Sequence, residues 1–255
     1  MRKINITSIL LLCLFSIAIT SCKKEGAVLR IISSLKIVNA VPDTAPYLVS
    51  DFRNNSKGDF YYISTAKFKY GIADQDAKLN TEKEEFPLAF YLFPDTLPTS
   101  KPLFNLKLQL PKGSINTLFL FGTLSHPDYK LVTAIPPAHD GMGNTFGLRF
   151  ANLSYQSKPV SVYVMDNGEQ KIIDGLTYKE VSDYKKYTIS ANSNNLTFEF
   201  RDKETQNLLA TYVMADLLAT ENNLWRAKNF TIAFKGLPGS ADPMQKQSTF
   251  LISDY

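Results

Sequence analysis

The feature that most constrains this chain is an internal repeat. The segment "LKIVN" at 35–39 resembles "LRFAN" at 148–152. In the same way, "TLFLFG" at 117–122 resembles "TIAFKG" at 231–236. The members of the first pair start 113 residues apart and those of the second pair 114 residues apart, which predicts two copies of one domain. Between the copies, the Pro- and Gly-rich segment "IPPAHDGMGNT" at 135–145 is interpreted as the linker.

Within each copy, apolar residues recur at every second position. The segments with this period are 88–92, 106–110, 160–164, 196–200 and 230–234. A period of two places the apolar side chains on one face of a half-buried strand. The sequence therefore predicts an all-β chain folded into antiparallel β-sandwiches. Only the stretch 217–227 is a candidate for a short turn of helix.

The N-terminus has the pattern of a secretory signal. Arg2 and Lys3 precede an apolar stretch at 9–19, which is too short for a transmembrane helix. The following residues, Ile19-Thr20-Ser21-Cys22, resemble the lipobox of bacterial lipoproteins. This resemblance implies that Cys22 becomes the acylated N-terminus, held in the membrane by several acyl chains. The alternatives are a plain signal peptide with an incidental cysteine, or a buried helix.

Cysteine content and charge limit the chemistry of the mature chain. Cys13 lies in the segment that would be removed, so Cys22 would be the single remaining cysteine. An internal disulfide and a free catalytic thiol are then both excluded. After removal of 1–21, the side chains carry 26 positive and 24 negative charges. The nearly neutral balance, without a basic block, argues against a nucleic-acid partner.

The opening of the first copy is similar to that of a known domain family. The segment "LKIVNAVPDTAP" at 35–46 resembles the opening R-x-V-N-A-S-P-D-A-P of an envelope domain family with no assigned function. The segment 115–154 resembles the junction between tandem copies in that family. The resemblance implies immunoglobulin-like or transthyretin-like β-sandwiches and no catalysis. The overall build also resembles lipoproteins of the Bacteroidota envelope.

These observations predict five segments. They are a lipoprotein signal peptide at 1–21, a lipidated N-terminus and tether at 22–33, β-sandwich domain 1 at 34–138, a linker at 139–145, and β-sandwich domain 2 at 146–255.

The sequence contains no recognisable catalytic or metal-binding motif. The two histidines, His126 and His139, fall in a predicted hairpin tip and in the linker, without zinc-ligand spacing. No G-x-S-x-G nucleophile elbow accompanies them. We therefore expect no enzyme activity, no metal and no cofactor. Two carboxylates that meet only in the fold would be the exception, as in a hydrolase of the envelope.

A few side chains are candidates for binding or modification. Tyr61, Tyr62 and Trp225 are candidate glycan-contacting aromatics, with burial in the sandwich core as the alternative. Thr44 and Thr96 stand in Asp–Thr–aliphatic triplets that resemble the O-glycosylation acceptor of Bacteroidota.

Together these features favour a noncatalytic lipoprotein of the bacterial cell envelope. Its expected role is binding, adhesion or structural spacing, with the outer membrane as one partner through the Cys22 anchor. A glycan-binding accessory lipoprotein of a polysaccharide-uptake system is the alternative, and an envelope hydrolase is the third possibility. The periplasmic face and the cell surface remain open as locations, and the protein or glycan partner is not identified.

Overall fold

The computed structural model describes residues 32–51, 67–72, 78–82, 84–97, 99–141, 143–166 and 168–254. They belong to one compact unit, Ile32–Tyr255. Every regular element among them is a β-strand. The strands are β1 (Ser33–Asn39), β2 (Leu48–Asp51), β3 (Lys78–Thr81), β4 (Glu85–Leu92), β5 (Phe104–Gln109), β6 (Ile115–Gly122), β7 (Pro127–Thr133), β8 (Thr145–Asn152), β9 (Val160–Met165), β10 (Glu169–Leu176), β11 (Lys185–Thr188), β12 (Leu196–Asp202), β13 (Leu208–Met214), β14 (Asn229–Lys235) and β15 (Ser248–Ser253).

The described strands form two sandwiches whose topologies match except for one additional strand, β10, in the second. In the first sandwich, a sheet ordered β3-β1-β6-β7 faces a sheet ordered β2-β4-β5. In the second, a sheet ordered β11-β8-β14-β15 faces a sheet ordered β10-β9-β12-β13. Each strand of the first sandwich thus has a counterpart in the second, with β1 matching β8 and β6 matching β14. The predicted all-β sandwich fold is confirmed, whereas the predicted domain boundaries stay a prediction.

Strand pairing departs from the expected antiparallel pattern at one place in each sandwich. Strand β1 pairs with β6 in parallel, and β8 pairs with β14 in parallel. All other pairs between named strands are antiparallel. A parallel pair joins strands that are distant along the chain. The alternation of apolar residues carries no information about strand direction, so the sequence did not predict this pairing.

Three apolar clusters among the described residues hold the sandwiches together. The first sandwich encloses one cluster that includes Leu35, Leu88 and Phe90, and the second encloses another that includes Leu148 and Phe198. Strands β4 and β5 bury alternate residues, as their period of two predicts. These two clusters are the sandwich cores, because they contain inward-facing residues from both sheets of each sandwich.

The third cluster lies between the two sandwiches, and we call this interface the seam. It joins the outer faces of the β1-β6 and β8-β14 sheets. Its buried residues are Val38, Ala40, Phe119, Phe121, Ala151, Leu153, Ala233, Phe250 and Ile252. Strands β1, β6, β8 and β14 are consequently buried on both faces. The two sandwiches therefore share an apolar interface.

Candidate functional site

An open cleft lies at one end of the second sandwich, between the loop that follows β11 and the loop that follows β13. We call it the loop cleft. Its volume is about 570 Å³, within the ~300–1,000 Å³ range of ligand sites. The lining combines an indole, aliphatic side chains and amide and carboxyl groups, and includes Asn194, Asp216, Glu221, Asn222, Leu224 and Trp225. Such a lining offers apolar contact together with hydrogen-bond donors and acceptors.

Asn223 organises the longer of the two loops. Its amide nitrogen donates to the carbonyl oxygens of Leu217 and Ala219, at 2.8 and 3.0 Å. Its amide oxygen accepts from the backbone N–H groups of Trp225 and Arg226, at 2.9 and 3.0 Å. One side chain thus satisfies four backbone groups of an irregular segment. The loop conformation around the cleft is therefore held by hydrogen bonds.

The shorter loop is tied to the longer one by two asparagines. The carbonyl oxygen of Asn194 accepts from the backbone N–H of Leu217 at 2.9 Å, and its side-chain oxygen accepts from Leu218 at 3.1 Å. The side-chain oxygen of Asn195 accepts from the backbone N–H of Asp216 at 3.2 Å. These bonds fix the distance between the two walls of the cleft.

Trp225 is placed at the base of the loop cleft. Its indole is 6% exposed and meets Phe230 in an edge-to-face contact with ring centroids 5.2 Å apart. Its Nε1–H donates to the carbonyl oxygen of Ala215 at 2.7 Å. The indole is therefore not a flat, solvent-exposed stacking platform, which corrects the expectation for this residue. The apolar residue that projects to solvent at the cleft is Leu224, which is 66% exposed.

Two carboxylates, Asp216 and Glu221, line the same cleft. Both side chains are exposed. Solvent-exposed carboxylates of this kind can accept hydrogen bonds from the hydroxyl groups of a ligand.

The other predicted site residues are dispersed or lie outside the described residues. Cys22, Tyr61 and Tyr62 belong to the latter group. Thr44 is fully buried, and its hydroxyl donates to the carbonyl oxygen of Val41 at 2.8 Å. A glycan cannot reach that hydroxyl in the folded chain, so the expectation of O-glycosylation at Thr44 is corrected. Thr96 lies half-buried in a surface turn, where its modification stays a prediction.

Neither histidine belongs to a metal or catalytic cluster. His126 is exposed in the β6–β7 hairpin loop, 3.0 Å from the Ser125 hydroxyl. His139 contacts Thr145 Oγ1 and Asn229 Oδ1 with its two ring nitrogens, each at 3.0 Å. Among the described ranges, no group of three His, Cys, Asp or Glu side chains could hold a metal ion. In the same ranges, no helix has the length and hydropathy of a membrane span.

Apart from Trp225, the residues that build the loop cleft were not predicted from the sequence. The stretch 217–227 was a candidate for a helical turn, but it contains only turns and bends. The available signal was the asparagine content, because "ENN" at 221–223 and "NSNN" at 192–195 contain residues that cap turns with their side chains. Those two asparagine clusters mark the two walls of the cleft.

No known family model matches the sequence. No curated protein matches it either. The resemblance of 35–46 to an envelope domain family therefore stays a prediction.

Solved structures with a related arrangement of strands are distant from this chain. An α-glucan-recognising family 41 carbohydrate-binding module from streptococcal virulence factors is 8% identical, with a TM-score of 0.26; the match covers 86% of this chain and 96% of the other. A candidate polysaccharide-binding protein from Bacteroides thetaiotaomicron is 12% identical, with a TM-score of 0.23 and coverages of 81% and 92%. A candidate adhesin from Bacteroides ovatus is 10% identical, with a TM-score of 0.20 and coverages of 81% and 90%. These scores are too low to support a statement about function.

Proposed function

We propose that this chain is a noncatalytic binding protein of the bacterial cell envelope and that its loop cleft binds a glycan. The observation that carries the proposal is the cleft lining, where the exposed Leu224 and the edge of Trp225 stand beside amide and carboxyl groups. A sugar ring presents an apolar face and a rim of hydroxyl groups. Apolar side chains match the face, and Asn, Asp and Glu match the rim.

Preorganisation of the two loops supports the proposal. Asn194, Asn195 and Asn223 hold the backbone on both sides of the cleft through hydrogen bonds that need no ligand. A ligand that enters a site already ordered avoids the entropy cost of ordering the loops. A fixed site on loops at the end of a rigid sandwich is a common arrangement in binding proteins.

Attachment to the outer membrane through Cys22 is part of the same proposal, and the lipobox-like pattern supports it. Metabolic labelling with an alkyne fatty acid tests it directly, because a Cys22→Ala variant would lose the label. Protease treatment of intact cells then separates the two possible orientations. Digestion would favour a cell-surface glycan ligand, and protection would favour a periplasmic one.

Glycan binding is tested with the full-length chain in a non-glycosidic detergent. We expect binding to at least one class on an array of glucan, mannan, galactan and xylan oligosaccharides. The affinity for that oligosaccharide should fall at least tenfold in Leu224→Ala, because this apolar side chain lines the cleft and is 66% exposed. Leu208→Ala is the matched control, since Leu208 is 56% exposed on β13 and does not line the cleft.

Three results would contradict the proposal. One is the absence of binding to every oligosaccharide on the array. Another is an equal loss of affinity in Leu224→Ala and Leu208→Ala, which would place the binding elsewhere. The third is hydrolysis of the bound oligosaccharide that disappears in Asp216→Asn or Glu221→Gln, because it would make the cleft an active site.

A further inference from the structure

A second cleft opens at the seam, next to a buried guanidinium group, and we call it the seam cleft. Its volume is about 450 Å³. The strand β7 and the residues after it form one wall, including Thr133, Ala134 and Ile135. The second sandwich forms the other wall, and its lining includes Arg149, Asp183 and Tyr184. The cleft is thus built from both sandwiches.

Arg149 is a charged side chain that is only 2% exposed. Its Nε–H donates to Thr231 Oγ1 at 2.8 Å, and its Nη2 donates to Thr117 Oγ1 at 3.1 Å. Asp254 Oδ1 lies 3.8 Å from the same Nη2. Among the described residues, no hydrogen bond engages Nη1. Because a guanidinium carries five N–H donors, the two on Nη1 remain available on a side chain that lines the cleft.

Aromatic rings and a carboxylate hold the guanidinium in place. The Tyr184 ring centroid lies 4.5 Å from the guanidinium carbon, and the Phe119 ring centroid lies 5.9 Å from it. Tyr184 donates its hydroxyl hydrogen to Asp254 Oδ2 at 2.8 Å. The ring contacts, the hydrogen bonds and the nearby carboxylate thus fix the orientation of the guanidinium group.

The rim of the seam cleft differs in charge from its floor. The side chain of Asp183 lines the cleft and is exposed, whereas Arg149 is buried. Ile135, which is 89% exposed, adds an apolar surface to the same rim. A ligand that fits this lining has a carboxylate at one end, hydroxyl groups at the other and an apolar face between them.

We propose that the seam cleft binds a hexuronic acid unit, with the sugar carboxylate on Arg149 Nη1. The ring hydroxyls would donate to Asp183, and the apolar face of the ring would pack on Ile135. This inference rests on the proposed function, since it assigns a second glycan subsite and the class of sugar that it takes. Carboxylate recognition by a desolvated guanidinium is strong and selective against a neutral sugar.

The test titrates the full-length chain in a non-glycosidic detergent with galacturonic acid and with its neutral methyl ester. We expect galacturonic acid to bind at least tenfold more tightly than the ester. The Nε–Hε resonance of Arg149 should shift with saturation when the acid is added, because Nη1 belongs to the same delocalised group. Equal binding of the acid and the ester would overturn the proposal, and so would the absence of binding.

A variant that fills the cleft avoids removing Arg149, whose loss would disturb the seam. In Ala134→Trp, a bulky ring occupies the wall, and we expect at least a tenfold loss of affinity for galacturonic acid. Leu97→Trp is the matched control, since Leu97 is 65% exposed and does not line the cleft. Undiminished binding in a folded Ala134→Trp chain would exclude the seam cleft as the site.

Failure of this inference is distinguishable from failure of the proposed function. If neutral oligosaccharides bind in a manner sensitive to Leu224→Ala while galacturonic acid does not bind, only the seam subsite is refuted. If galacturonic acid binds and its affinity falls in Leu224→Ala but not in Ala134→Trp, the acid occupies the loop cleft and the seam subsite is again refuted.

Discussion

Asn39 and Asn152 make the same three hydrogen bonds at equivalent positions of the two sandwiches. The side-chain oxygen of each accepts from the backbone N–H two residues later, at 3.0 and 3.1 Å. The amide nitrogen of Asn39 donates to Thr44 Oγ1 and to the carbonyl oxygen of Phe68, both at 2.9 Å. The amide nitrogen of Asn152 donates to Ser157 Oγ at 3.0 Å and to the carbonyl oxygen of Leu176 at 3.1 Å. Both side chains are buried, so each holds the turn after the first strand of its sandwich.

Replacement of either asparagine by alanine should destabilise the fold. Each change removes the acceptor of a buried backbone N–H, that of Val41 or that of Ser154, at a cost of about 1–3 kcal/mol. We expect Asn39→Ala and Asn152→Ala each to lower the free energy of unfolding by at least ~2 kcal/mol in urea titrations. Asn207→Ala is the control, because Asn207 is exposed, and it should change the value by less than ~0.5 kcal/mol. Equal effects in the three variants would refute the shared role.

Gly122 is the last residue of β6, and Gly236 directly follows β14. Both have a backbone conformation that other residues avoid. Their φ angles are +92° and +104°. A Cβ atom on Gly122 would lie 2.2 Å from the carbonyl oxygen of His126, and one on Gly236 would lie 2.4 Å from that of Lys246. Both Gly→Ala variants should therefore have thermal midpoints several degrees below wild type, measured by circular dichroism. Gly141→Ala is the control, since nothing lies within 4 Å of its added Cβ.

The buried Arg149–Asp254 pair should be sensitive to the loss of one partner. Asp254→Ala removes the carboxylate beside Arg149 and the acceptor of the Tyr184 hydroxyl. We expect it to lower the free energy of unfolding by about 3–5 kcal/mol. In the double variant with Arg149→Met, the loss should be at least ~1 kcal/mol smaller than the sum of the single losses.

An exposed ion pair provides the comparison for these single and double variants of the buried pair. Lys107 and Glu85 lie 2.9 Å apart with side chains 66% and 54% exposed. Glu85→Ala should cost less than ~1 kcal/mol, because solvent screens the pair. Strict additivity of the Arg149 and Asp254 changes would show that the buried groups do not interact.

The stability of the chain should fall in alkali, partly through Tyr184. Burial, followed by the nearby Asp254 carboxylate, raises the pKa of Tyr184 well above its ordinary value. The folded state keeps this proton where the unfolded state releases it, so its contribution is complete below about pH 10 and is lost as the pH rises further. From pH 10 to 11.5, the free energy of unfolding should fall more steeply in wild type than in Tyr184→Phe, by up to ~1.4 kcal/mol per pH unit.

The control for this slope is Tyr129→Phe, because Tyr129 is 44% exposed on β7. It should retain the wild-type slope in the same series of urea titrations. A Tyr184→Phe slope equal to wild type would show that the Tyr184 proton is not linked to folding.

Asn223→Ala should open the loop cleft, because four backbone groups lose their partner. Trp225 is the only tryptophan of the chain, so its fluorescence reports on this change alone. We expect a red shift of the emission and at least twofold greater quenching by acrylamide. Asn192→Ala, at an exposed position of the shorter loop, should leave both unchanged. An unshifted spectrum in Asn223→Ala would contradict the role of this side chain.

Much of the fold could be predicted because the relevant signals are local. Alternation in 160–164 and 196–200 indicated strands with one buried face, and those segments form β9, which is buried on both faces, and β12, which buries alternate residues. The repeat indicated two copies, and every described strand of the first sandwich has a counterpart in the second, which contains β10 in addition.

The loop cleft was harder to predict, because its geometry depends on contacts between loops that are distant in sequence. The backbone carbonyl oxygen of Asn194 accepts from the N–H of Leu217 and its side-chain oxygen accepts from the N–H of Leu218, both more than twenty residues away. Trp225 was found as a candidate from its residue type alone. The indole is buried by its contacts with the Phe230 ring and the Ala215 carbonyl oxygen, and the spacing of these residues in the sequence does not predict those contacts.

The sequence by itself determined the strand pattern, the two copies and the turn residues, since each depends on neighbouring residues through backbone geometry and side-chain period. The tertiary structure decided which outer faces meet. The basic residue shared by the two opening motifs, Lys36 in one and Arg149 in the other, is buried at 1% and 2% exposure. A lone basic residue in a strand predicts a solvent-facing side chain. Arg149 is instead enclosed because the two sandwiches pack their outer sheets together. That packing brings Thr117 of the first sandwich to its guanidinium group, whereas Thr231 and Asp254 come from its own sandwich.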